Sequence, residues 1–281
     1  MWTAAHGGDE PRIAAILINY NSASDIEARL ASPALAGQRI VLIDNASEPD
    51  RLRVLAAQYD TELILSATNR GFAGGVNLGF ERLRELGNQL PVLLLNPDVH
   101  LGTAERDSLV DKLTDEKLDG TSPLLVEPSG RLQVGVAGTD LSVASTAAYF
   151  LLFAHLFPGW RGLFLTRRQC RRGGSVSWLC AACLLLDPTA ITRYGRWPED
   201  EIVYAEDVAW GTAASARGAR FALDSAVEVL HEVGGSGAGP AWSGALKRLC
   251  RRRLGSRGGG LAAAIISTGI ALRRGVGRVV P

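Results

Sequence analysis

The sequence predicts an α/β protein, a mostly parallel, Rossmann-like sheet flanked by helices, with a basic helical extension at its C-terminal end. Three observations carry this. In the first third of the chain, short all-apolar runs alternate with stretches at helical spacing, and strands that are apolar on both faces belong to sheets covered on both sides. Each run closes in polar residues, which suits the strand ends where such sheets bind ligands. The charge is also divided. From residue 241 onward there are nine basic residues and no acidic one, in a chain whose net charge is +1.

The elements follow in order. Residues 13–18 form an apolar run closed by Asn19-Tyr20-Asn21, and 40–43 one closed by Asp44-Asn45. Glu62–Leu65 is the third, and Val92–Leu95 the fourth, closed by Asn96-Pro97-Asp98. Helical spacing occupies 24–35, 50–59 and 75–86. After residue 120 the pattern loosens. An apolar, partly helical stretch at 141–157 ends at Pro158-Gly159-Trp160, and a basic loop follows at 167–174. Strands are expected at 175–179, 183–186, 220–223 and 227–230, with a helix at 206–217. The glycines of 234–240 read as a linker. Beyond it, 242–253 reads as a basic amphipathic helix, and 261–272 as an apolar segment too short to span a bilayer but able to lie on one. The expected units are 12–236, divided into halves at 12–120 and 121–236, and the helical region 241–281.

At 281 residues with 47% hydrophobic and 21% charged residues, the chain suits a folded protein with one sizeable core. Four cysteines do not make a disulfide framework, residues 1–12 lack the apolar core of a signal peptide, and no run of 18 uncharged apolar residues occurs. A cytoplasmic location is expected, with the basic region favouring the anionic inner face of the cell membrane. No basic cluster interleaved with aromatics lies in the sheet region, so nucleic acid is not an expected partner.

Four groups of residues carry chemistry. Asp98, after a strand-ending proline, suits Mg2+ or Mn2+, hard cations that take a few protein oxygens plus phosphate; alternatively it caps the helix near Thr103. The stretch Asn69-Arg70-Gly71-Phe72-Ala73-Gly74-Gly75-Val76-Asn77 joins a strand to a helix, where glycines let amides approach an anion, although such turns are common. Glu206 and Asp207 open a helix, as dipole-favoured carboxylates or as a general base. His231 is either structural or a metal ligand beside Asp98. Cys180 and Cys183 have metal-like C-x-x-C spacing, but with no second pair in an apolar segment they read as small core residues.

Together these motifs resemble a family 2 glycosyltransferase of the GT-A fold, in a rhamnosyltransferase-like branch. The resemblance rests on Asn19-Tyr20-Asn21-Ser22, Asp44-Asn45-Ala46-Ser47, Asn69 through Asn77, Leu94-Leu95-Asn96-Pro97-Asp98, Glu206-Asp207-Val208 and His231, all in family order. It implies that Tyr20, Asn21, Asp44, Asn45, Asn69, Gly71, Asn77 and Asn96 hold a nucleotide-sugar donor. Asp98 and His231 would hold Mg2+ or Mn2+, and Asp207 would be the catalytic base, with Glu206 beside it. The implied reaction is inverting transfer of one sugar, with dTDP-L-rhamnose as donor and a saccharide or polyprenyl-linked saccharide as acceptor, in bacterial cell-wall or surface-polysaccharide synthesis. Pro198, Ala209 and Ala213 depart from the family pattern. They support the alternative, a catalytically impaired GT-A-fold binding or scaffold protein.

Overall fold

The structure, a computed structural model, describes residues 10–157, 159–200, 204–232 and 240–275. The strands are β1 (Ala14–Asn19), β2 (Arg39–Asp44), β3 (Glu62–Leu65), β4 (Val92–Leu95), β5 (Val99–His100), β6 (Gly120–Val126), β7 (Ala137–Gly138), β8 (Gly174–Val176), β9 (Trp178–Leu179), β10 (Cys183–Leu186) and β11 (Phe221–His231). The longer helices are α1 (Ala23–Leu30), α2 (Pro49–Gln58), α3 (Gly71–Glu85), α4 (Thr103–Asp115), α5 (Val143–Phe150), α9 (Glu206–Ser215) and α10 (Pro240–Gly275). Three short ones lie between, α6 (Phe153–Leu156), α7 (Arg167–Cys170) and α8 (Ala190–Tyr194).

The main sheet runs β3-β2-β1-β4-β10-β6-β11-β5, with β8 added on β11. β3, β2, β1 and β4 pair in parallel, and so do β6 and β11; β10 lies antiparallel between β4 and β6. β4, β6 and β11 therefore point the same way, and the ends of β1, β2, β4 and β11 share one rim. This is the expected α/β architecture, the GT-A arrangement of a mostly parallel sheet between helices. The two strands expected at 220–223 and 227–230 are one strand, β11, whose register against β6 shifts between Asp224 and Glu228. The bulge lets one strand bend and continue where the sequence shows a break.

α3 corrects one expectation. It begins at Gly71, four residues before the predicted start, so the glycines beyond Gly71 lie inside the helix. Their use is close packing. A Cβ on Gly75 would stand 2.8 Å from Ile18, and one on Gly79 the same distance from Ile16. The small residues let α3 settle directly onto β1, and that approach outweighs the roughly 1 kcal/mol each glycine costs a helix.

A second core lies beside the sheet. Tyr149, Phe150, Trp178 and Val208 meet Leu246, Leu249 and Ile266 of α10 there. α10 is two helices broken at Gly255, whose φ of 71° and ψ of −179° suit only glycine. The halves fold back closely, since a Cβ on Gly259 would lie 2.4 Å from the Arg251 Cα. The 261–272 segment, expected to rest on a bilayer, buries Ala262, Ala263 and Ile266 in the protein and sets Gly269 against the Phe150 carbonyl. Its inner face is thus occupied. Arg278 and most of the 234–240 linker fall outside the described residues. Among the described residues no helix is long and apolar enough to cross a membrane.

Candidate active site

At the end of β1 and β2, polar side chains fasten the rim before any ligand arrives. Asp44 is 1% exposed. Its Oδ1 accepts from Asn19 Nδ2 (3.0 Å), Ser47 Oγ (2.8 Å) and the Glu48 amide (3.1 Å), and its Oδ2 from the Ser47 amide (3.1 Å). Burial alone would raise its pKa; the hydrogen bonds outweigh burial and hold the carboxyl below its ordinary value. Asp44 thus shapes the turn that follows β2. Tyr20 stands 55% exposed on the same rim. Asn21 takes a left-handed conformation (φ 55°), and its amide donates to Ser47 Oγ (3.1 Å).

Asn45 performs the same service for the start of α3. Its Nδ2 donates to Asn69 Oδ1 (2.9 Å) and to the Gly71 carbonyl (3.1 Å), while its Oδ1 accepts from the Arg70 amide (2.9 Å). Asn69 Oδ1 also accepts from the Gly71 amide (2.8 Å). Asn77 faces away from this turn. Its Nδ2 donates to the Trp197 carbonyl and to Glu199 Oε1, both at 2.9 Å, and its Oδ1 accepts from the Trp197 amide (2.9 Å). Arg70 closes the link with two hydrogen bonds to Glu199, of 3.1 and 2.8 Å. Asn77 is therefore a positioning residue that ties α3 to the 197–199 loop. Burial works to raise the Glu199 pKa, but Asn77 and Arg70 leave it lowered.

The two halves of the rim meet at the ends of β4 and β11. β5 pairs antiparallel with β11, setting Val99 opposite His231, and the Glu232 amide donates to the Asp98 carbonyl (2.9 Å). This register brings His231 Nε2 to 3.3 Å from Asp98 Oδ1. Behind the ring, Gln133 Nε2 donates to the His231 carbonyl (3.2 Å), and Gln133 Oε1 lies 2.9 Å from Nδ1. With the amide so oriented, Oε1 accepts a hydrogen bond from Nδ1–H, and Nε2 is the nitrogen turned to Asp98. One carboxylate and one imidazole suit a divalent cation whose remaining positions are filled by phosphate and water. Among the described residues no group of three or more His, Cys, Asp or Glu forms a self-sufficient metal cage. Among the described residues Asp98 and His231 would supply two ligands.

Asp207 is linked to the end of β4 through the 180–182 segment. The Asn96 amide donates to the Ala182 carbonyl (2.8 Å), and Asp207 is held by the Ala181 backbone and the Cys180 thiol. The segment thus contacts both Asn96, two residues before Asp98, and Asp207. Burial pushes Asp207 up to about 6, against opposing hydrogen bonds from the amides of Val208, its own backbone and Ala181, and from Cys180. Just before it, Tyr204 and Ala205 both take left-handed conformations (φ 78° and 67°). Such residues cost about 1 kcal/mol or more apiece and gather at functional sites. Glu206 opens α9 beside Asp207. A carboxyl with this pKa is matched to proton abstraction near neutrality.

Residues 14–99 match the model of Glycosyl transferase family 2. This family 2 segment runs from β1 to β5 and includes every motif expected to hold the donor. A curated relative, the low-salt glycan biosynthesis hexosyltransferase Agl10 of Haloferax volcanii, is 35% identical over 86 residues, 31% of this chain and 27% of that protein. Among solved structures, residues 1–349 of Staphylococcus aureus TarS align with a TM-score of 0.55 at 12% identity, covering 95% of this chain and 74% of that one. The same TarS fragment in complex with UDP-GlcNAc aligns at 0.54. GalNAc-T7 with UDP, GalNAc and Mn2+ aligns at 0.55 and 12% identity, over 80% of this chain and 44% of that one. These likenesses show the fold. The chain spans about a quarter of Agl10 and under half of GalNAc-T7.

Three residues at the site had escaped the sequence reading. Glu199 has no local signal, since its pairing with Arg70 and Asn77 joins positions far apart in sequence. Cys180 looked like core and is the thiol on Asp207. Gln133 carries no local signal, because it sits in a loop far along the chain from His231. Cys183 is a buried free cysteine, as expected, its thiol pushed up by burial to about 12.

Proposed function

We propose that the chain is an inverting, divalent-metal-dependent glycosyltransferase that moves one hexose from a nucleoside-diphosphate sugar to a saccharide or lipid-linked saccharide. The observation that carries it is the rim itself, where the Asp98–His231 pair closes the end of β4 and the 180–182 segment contacts both Asn96 and Asp207. Bound there, Mg2+ or Mn2+ would neutralise charge developing on the leaving diphosphate. Asp207 would take the proton from the acceptor hydroxyl as it attacks the anomeric carbon. A single displacement needs one base and inverts the centre, analogous to the inverting route of glycoside hydrolysis.

Tyr20 offers an exposed ring for the nucleotide base, while Asn21, Asn69, Gly71 and Asn96 line the approach to the sugar. Asp44, Asn45 and Asn77 act behind them as positioning residues. In this reading 12–120 is the donor half, 121–236 the acceptor half and 241–281 a helical region that braces the latter. The donor proposed from the motif resemblance is dTDP-L-rhamnose, and the setting is bacterial cell-wall or surface-polysaccharide synthesis at the cytoplasmic face of the membrane. The solved neighbours hold UDP with GalNAc and Mn2+, or UDP-GlcNAc, so those uridine donors belong in the same test.

The decisive experiment is turnover of a donor panel with lipid-linked and soluble saccharide acceptors, with and without Mn2+, followed by analysis of the product anomer. Retention of configuration would overturn the single-displacement mechanism. A catalytically impaired scaffold is the second reading, favoured by Ala209, which is buried in the second core and offers no polar group beside Asp207. No donor raising the melting temperature in the presence of Mn2+ would support that reading.

A further inference from the structure

The C-terminal segment expected to rest on a membrane turns one face into the protein. The inner face of 261–272 is occupied by protein, but α6 and the residues after it present apolar groups outward. Leu156 is 69%, Trp160 58% and Phe157 52% exposed, and Phe153 37%. Trp160 gathers the aromatic ones, its ring centroid 5.8 Å from Phe153 and 5.9 Å from Phe157. Scattered surface apolar residues need no explanation, but a contiguous aromatic knuckle marks a contact surface.

Its surroundings are cationic. Residues 141–186 contain five arginines and no acidic residue. Gln169 of α7 donates to the Trp160 carbonyl (2.8 Å), which seats α7, with exposed Arg168 and the following exposed Arg172, beside the knuckle. Arg273 brings the end of α10 to the same corner, donating to the Tyr149 carbonyl (2.8 Å) with its guanidinium 4.6 Å from the Tyr149 ring. Indole and phenyl groups rimmed by arginines fit the boundary between anionic headgroups and acyl chains, where aromatic rings anchor and basic side chains meet phosphate.

We propose that the α6 knuckle, Phe153, Leu156, Phe157 and Trp160 with Arg168 and Arg172, inserts into an anionic lipid surface and docks the protein on it. This deepens the proposed membrane setting, but it is tested without donor or acceptor, so its failure and that of the transfer reading are separable. The full chain is sedimented with vesicles of phosphatidylcholine alone, or with roughly a third phosphatidylglycerol.

Wild type is expected to bind only the anionic vesicles. Leu156→Ser/Phe157→Ser/Trp160→Ser should weaken binding at least tenfold with an unchanged melting temperature, because these side chains are exposed. Arg168→Glu/Arg172→Glu should abolish the preference for phosphatidylglycerol. Unaltered binding by the serine triple variant, with loss instead in Arg251→Glu/Arg253→Glu, would overturn the proposal in favour of α10. No vesicle binding by wild type would overturn it too, whether the triple variant then loses self-association on gel filtration, loses affinity for a single-stranded oligonucleotide, or changes in neither.

Discussion

His231 Nε2 faces Asp98 Oδ1 at 3.3 Å while Gln133 occupies the other ring nitrogen. Gln133 holds the ring from behind through its amide, so Nε2 is the atom presented to the carboxylate.

The aiming can be tested apart from the ligands. Gln133→Leu leaves Asp98 and His231 in place but removes the ring's partner, and outer-shell changes of this kind typically cost 10- to 100-fold in metal affinity. Mn2+ titration of turnover should show that loss with little change in maximal rate. Asp98→Asn should lower turnover by about two to three orders of magnitude even at saturating Mn2+.

For Asp207 the prediction concerns pH. With the carboxyl at about 6, the rate should rise with pH through about 6 and level off above it, since only the ionised form accepts a proton. Cys180→Val removes a thiol hydrogen bond that favours the charged carboxylate, so the acid limb should move to higher pH. Asp207→Asn should lower kcat by about two to four orders of magnitude while the melting shift produced by the donor persists.

The same residue predicts a gain in stability. Its folded pKa lies above the unfolded value of about 3.8, so between those values the folded state binds more protons, and stability falls as pH rises through that window. Above about 6 the full cost is present. Asp207→Asn should therefore stabilise the fold near pH 7, by ~1–3 kcal/mol, and confer little advantage near pH 3. Urea denaturation at the two pH values measures this, and a wild type that is the more stable at pH 7 would contradict the burial argument.

Asn77 is expected to matter more to integrity than to donor contact. Asn77→Ala leaves the Trp197 amide and carbonyl without their partners in a buried setting, which costs ~2–4 kcal/mol. Thermal unfolding should fall accordingly, and the donor KM should rise through the Glu199–Arg70 link at the start of α3.

Gly269→Val tests the second core. Any Cβ there would stand 2.4 Å from the Phe150 carbonyl oxygen, and backbone cannot swing aside as a side chain can. A loss of ~1–3 kcal/mol is expected, read by calorimetry. Gly260→Ala is the control, since a Cβ there meets open space.

Residues 12–120 were legible because their signals are local. Four apolar runs became β1 to β4 within a residue or so; β1, β2 and β4 are buried on both faces and admit few polar groups, while β3 is the half-buried edge strand. The α3 start was misplaced because glycines that pack a helix on a strand look, in sequence, like glycines that open a loop. The helix expected at 24–35 stops at Leu30, where the chain turns ahead of Pro33. β5, β6, β7, α8 and α7, which lies where a basic loop was expected, carry weaker signals: all but β6 are short, and β6, at seven residues, carries Gly120, Ser122 and Pro123. The Asp98–His231 pairing was suggested by the motifs, but its cause, β5 laid against β11, appears only when distant segments meet.

The clasp between Asn77 and the 197–199 loop bears on how such a chain can change over evolutionary time. Its two sides lie 120 and 122 positions apart in sequence. A recombination crossover between them would pair one ancestor's amide with another's loop. Exchange of segments between these positions among diverging relatives should succeed only where the asparagine and its loop travel together, or where both parents already share them.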